Sequence, residues 1–186
     1  MKRTLSAATA SVLIAILFVA SGAVAGKTAI KAPNEVTIAG LTVQCQDFRG
    51  RHVTTLKVDE LGDVGRAWVV NMTPFIVMDS HLLMQLPVKL QLFFYAHECA
   101  HHILGHWYTP SVNNEIEADC WAIRYGRDTG LFRRQEVADF APWLAASKGS
   151  RFGHLPGPRR AQSLLECFDN AEPLLLRSEQ KTMFVR

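Results

Sequence analysis

Between residues 36 and 78 the apolar positions come in short runs rich in β-branched and aromatic side chains, interrupted by turn-forming residues. The runs at 36–38 and 41–45 are split at Gly40, those at 52–58 and 67–70 by Gly62-Asp63-Val64-Gly65, and 75–78 follows Pro74. Runs of this length and composition predict strands, and their spacing predicts a small antiparallel or mixed sheet. Beyond residue 80 the rhythm becomes helical. A short helix is expected at 82–86, ending at Pro87. A long one follows at 88–106, with apolar residues at 90, 93, 94, 96, 100, 103 and 104. Further helices are expected at 113–127, capped by Asn113 or Asn114, at 134–146, and at 158–168 with Pro158 in the first turn. Strands first and helices afterwards specify an α+β domain. The tail, residues 178–186, is expected to be loosely held.

The first 25 residues belong to a different argument. Lys2 and Arg3 precede the apolar stretch 11–20, and Ala23-Val24-Ala25 offers a small-residue cleavage site. This is the pattern of a secretory signal peptide, and the stretch is shorter than the roughly 20 residues that span a bilayer. Residues 1–25 are therefore expected to be an export signal and 26–186 a single domain in the periplasm or outside the cell. Lys2 and Arg3 supply two of the three net positive charges of the 186-residue chain. The remainder is close to neutral and has no basic run, which argues against a nucleic-acid partner. No later segment is apolar enough to span a bilayer. Cys45, Cys99, Cys120 and Cys167 are an even set in an exported chain and contain no C-x-x-C pair, so two disulfides are expected rather than a cysteine metal site. Three pairings are possible.

The candidate chemistry lies in His97-Glu98-Cys99-Ala100-His101. Residues four apart on a helix differ by about 40° in direction and about 6 Å in rise, so both imidazoles can reach one ion. Glu98 then lies beside the ion, where a carboxylate can take a proton from water. A catalytic zinc takes three protein ligands and keeps one open position. Glu115 and Asp119, also four apart, offer a third ligand and an acceptor for the spare ring N–H of His97 or His101. Glu117 points about 160° away from Glu115 and is expected in solvent, with an exchange of roles between the two as the alternative. The metzincin pattern would need Gly at 104 and His at 107, where Leu104 and Trp107 stand. On the same helical arithmetic His102 and His106 are expected as surface or packing histidines, and Cys99 as facing the core. His52 and His81 are expected to be structural. Spacing selects none of Tyr95, Tyr108 and Tyr125 as an oxyanion donor.

The run from His97 to His106 resembles the HELGHxxxxH segment of the HtpX and CAAX-prenyl-protease family of zinc peptidases, and residues 115–119 resemble its ExEAD segment. Residues 154–160 are similar to its HPxxxxR motif, with Pro156 one place late. The likeness covers about residues 88–165 and implies a small exported gluzincin. It implies one zinc ion on His97, His101 and Glu115, with Glu98 as general base and Asp119 behind the ligands. His154 and Arg160 would approach the open face. The implied activity is metalloendopeptidase cleavage of a peptide or unfolded protein. Two rival readings are a zinc-stabilised, chaperone-like binder whose site His154 closes, and a zinc amidase acting on cell-wall material.

Overall fold

The computed structural model describes residues 36–148, 154–170 and 172–185; the expected signal peptide lies outside them. The fold is α+β, with sheets in the N-terminal half and helices after them. Strands β1 (Val36–Ile38) and β2 (Leu41–Val43) form a hairpin through Ala39 and Gly40, both at positive φ. Strands β3 (Thr54–Val58), β4 (Gly65–Val70) and β5 (Thr73–Asp79) form a second sheet in the order β3-β5-β4. β5 lies at its centre, parallel to β3 and antiparallel to β4. The mixed sheet expected from the runs is this one. The β4–β5 turn is Asn71-Met72, both left-handed, and the Arg51 guanidinium donates to the Met72 carbonyl at 3.0 Å.

The tail departs from expectation. Residues 178–182 make a 3₁₀ turn, and β6 (Phe184–Val185) pairs antiparallel with β2, so the first sheet has the order β1-β2-β6. Met183 is buried and Phe184 packs edge-on against Tyr95. Apolar anchoring of those two residues overrides the polar composition of the segment.

After the short α1 (Ser80–Met84), Pro87 starts α2 (Val88–Ile103), its carbonyl accepting from Leu90 and Gln91. α2 is the central element: most of its length is buried, between the second sheet on one side and α3 (Asn114–Asp128) on the other. The helix expected at 134–146 is two helices, α4 (Arg134–Ala138) and α5 (Ala141–Leu144). Pro142 has no N–H for the carbonyl of Ala138 and so begins a new helix instead of continuing the old one. α6 (Gly157–Asp169) packs on α3, α4 and α5, with Pro158 in its first turn. Gly157 fits there because a Cβ would lie 1.8 Å from the Leu144 carbonyl oxygen.

Two disulfides close the frame. Cys45, just after β2, bonds Cys99 of α2, and Cys120 of α3 bonds Cys167 of α6. Cys99 faces the core, as its helical position requires. Among the described residues no helix is long and apolar enough to cross a membrane.

Candidate metal centre

α2 runs one turn past Cys99 before Leu104 caps it, which sets His97 and His101 on the face turned to α3. The first turns of α3 bring Glu115 and Asp119 to the same place. His97 Nε2 and His101 Nε2 lie 3.2 Å apart, and Glu115 Oε2 lies 3.2 Å from the first and 3.6 Å from the second. These three atoms form a triangle that could hold a metal ion. An ion with bonds of about 2 Å to tetrahedrally arranged ligands needs edges of about 3.3 Å, which the triangle matches.

A second observation agrees. Glu115 Oε2 is buried and has no hydrogen-bond partner, although three imidazole nitrogens surround it. A buried carboxylate oxygen left so is expensive. It lies close enough to the His97 and His101 ring nitrogens for the three atoms to share one ion. Electrostatics favour a cation there. Burial pulls the His97 pKa down, but the charge and contact of Asp119, the Glu115 contact and the Glu98 charge outweigh it and push the value up to about 10. Burial would raise the Glu115 pKa, yet the imidazoles of His101, His154 and His97 hold the carboxyl far below the usual range.

Behind His97 stands Asp119, its Oδ1 2.8 Å from His97 Nδ1. The N–H is poorly aimed at that oxygen, so closeness of charge rather than alignment couples the pair. Asp119 is buried, which raises its pKa, but Arg160 and His97 bring it down to about 2. Arg160 was expected at the open face and is found elsewhere. Its guanidinium, buried on α6 beside Phe93 and Phe94, donates to both Asp119 oxygens at 2.7 and 2.8 Å. A planar fork matches a carboxylate in this way.

His154 does reach the centre, its Nε2 2.5 Å from Glu115 Oε2. Glu98 is buried at the start of β4, where Gly65 makes room for it: a Cβ on Gly65 would lie 2.9 Å from Glu98 Cγ. Phe75–Met78 lies in the central strand β5, and Ala67–Val70 in β4, an edge strand among the described residues. The three tyrosines are engaged away from the triangle. Tyr95 hydroxyl pairs with Thr55, Tyr108 accepts from Arg51, and Tyr125 stacks on Trp121. His102 is a packing residue as expected, its Nε2 donating to the Phe75 carbonyl, and burial lowers its pKa to about 4.

His106 is a packing residue, as expected, but it packs against His101. Helical arithmetic placed it away from His101, but α2 has ended by then. Gly105, at φ 73°, reverses the chain, with His106 N–H donating to the His101 carbonyl and Gly105 N–H to that of His102. That is a Schellman turn, which brings the residue after the glycine back over the third residue from the helix end. The His106 and His101 rings meet through their Nδ1 atoms at 2.9 Å. Glu117 is half exposed, as expected, and its Oε2 lies 3.3 Å from His106 Nε2. The sequence signal was present in Leu104-Gly105, a helix stop. Compared with protein-family models, with curated proteins and with solved structures, the chain finds no match in any of the three.

Proposed function

We propose that the protein is an exported zinc metalloendopeptidase, a small relative of the HtpX and CAAX-prenyl-protease group, that cleaves extended peptides. The observation that carries the reading is the triangle of His97 Nε2, His101 Nε2 and Glu115 Oε2 with Glu98 next in line on α2. Two imidazoles and a carboxylate suit zinc, and His₂Glu is a ligand set of catalytic zinc sites. When bound there, zinc supplies a Lewis acid that lowers the pKa of water toward about 7 and polarises a carbonyl.

The rest is done by the chain. Glu98 takes the proton of the attacking water and delivers it to the leaving amine. His154 donates to the oxygen that becomes negative as the carbonyl is attacked. Asp119 holds His97 by its other nitrogen, and Arg160 holds Asp119. β4 is an edge strand among the described residues and starts beside Glu98. An extended peptide added to that edge gains main-chain hydrogen bonds and brings a scissile bond near Glu98. Export is supported by the two disulfides, which persist in oxidising compartments.

One observation favours a second reading, a closed structural zinc site in a binding protein: His154 sits against Glu115, where a fourth donor would stand. The substitution Glu98→Gln separates the two. The peptidase reading expects purified Glu98→Gln protein to keep stoichiometric zinc and lose chelator-sensitive cleavage of a peptide library. Cleavage as fast as wild type, or a wild-type protein that holds no zinc, refutes it.

A further inference from the structure

Gly105 sends the chain back so that the residue following it meets His101 edge-on, a place that helix ends of this type usually give to an apolar contact. Here the pair is imidazole on imidazole, followed by a carboxylate: His101 Nδ1 to His106 Nδ1 at 2.9 Å, and His106 Nε2 to Glu117 Oε2 at 3.3 Å. Neutral imidazole carries one proton, so only certain proton placements satisfy the chain. Glu117 as a carboxylate only accepts, which puts the His106 proton on Nε2. His106 Nδ1 is then a bare acceptor and draws the His101 proton to Nδ1. His101 Nε2 is left as a lone pair, and this is the atom that faces His97 Nε2 and Glu115 Oε2.

We propose that His106 and Glu117 are positioning residues that set the tautomer and ring orientation of His101 for metal binding, an indirect acidic support reaching the ligand through a second histidine. The inference rests on the metal reading above. His97 has no such intermediary, since Asp119 touches its Nδ1 side directly. The reverse proton order would leave a hydrogen on His101 Nε2, in the triangle, and no donor between His106 Nε2 and the Glu117 carboxylate.

The test uses the whole chain and zinc itself. Zinc affinity is measured by chelator competition for wild type, His106→Leu, Glu117→Ala and Glu117→Gln, and imidazole ¹⁵N spectra report tautomers in the zinc-loaded protein. Loss of the histidine is expected to weaken zinc binding roughly 10- to 100-fold. Glu117→Ala should weaken it about three- to fivefold because that end is half exposed, and Glu117→Gln, still an acceptor, should recover part of the loss. Spectra should show His101 protonated on Nδ1 and His106 on Nε2. Equal affinities across the Glu117 series, or a His106 proton on Nδ1, overturns the proposal while the metal reading stands. Wild type that binds no zinc sinks both. Glu117 lies on the surface, so its variants read the effect even if His106→Leu fails to fold.

Discussion

His97 and His101 sit one turn apart on the same helix, yet the structure supports them in opposite ways. Behind His97, Asp119 is almost wholly buried, its side chain 4% exposed, and a buried Arg160 grips both its oxygens. Behind His101 the support runs through His106 to Glu117, whose side chain is 52% exposed. The first arrangement is dry and fully charged, and the second ends in water. A charge pair in a low-dielectric interior is costly to break because the surviving partner remains buried and uncompensated, whereas an exposed one is screened. The difference teaches that two side chains of one candidate metal site can have unlike tolerance to change, set by how far the last charge behind each is from solvent.

The sharpest way to break the comparison is Asp119→Ala. It strands Arg160 and should destabilise the metal-free chain by about 3–5 kcal/mol, read by urea unfolding. A loss below about 1 kcal/mol would mean the His97 side is no more rigid than the other. Next comes pH. The metal-free His97 pKa is raised to about 10. Its stabilising contribution is complete below the unfolded value of about 6.5 and disappears as pH rises through about 10. Asp119, lowered to about 2, works in the other direction: its contribution is present above about 4 and is lost as pH falls through about 2. Zinc uptake near pH 8 should therefore expel about one proton from His97. Calorimetry in buffers of different ionisation enthalpy counts it, and no proton release would contradict the electrostatic account.

A smaller effect is expected at the turn. Gly105→Ala forces an alanine into a left-handed conformation, at a cost of about 1–2 kcal/mol, without a serious clash, since the nearest Phe48 atom is 3.5 Å from the added carbon. If the turn matters only as a helix stop, zinc affinity will stay at the wild-type level; a shift in affinity ties it to His101. Smallest of all is Glu117→Ala, worth under about 1 kcal/mol in thermal unfolding of the metal-free chain.

What could be read beforehand follows from how local each arrangement is. His97 with His101, and Glu115 with Asp119, are spaced on single helices, so their shared faces follow from 3.6 residues per turn. Cys99 facing the core follows likewise. His106 escaped the same arithmetic because it lies beyond the helix end, where one glycine φ decides the direction. Arg160 was brought to the neighbourhood by its motif, but its partner depends on how α6 packs on α3, which spacing does not encode. The β4–β5 hairpin was hidden because Met72 occupies a left-handed position that a sequence reader assigns to glycine. β6 was missed because its pairing with β2 is made across almost the whole described chain.

The two cross-links have a bearing on the centre that their distance from any ligand atom conceals. Cys99 stands between Glu98 and His101, and Cys120 directly follows Asp119. Each of the helices that meet at the candidate metal site is thus riveted at the turn that faces it, one to the segment after β2 and the other to α6. Neither helix can slide along its axis by a turn without tearing a covalent bond, so the alignment of the donor atoms is locked from outside the coordination shell.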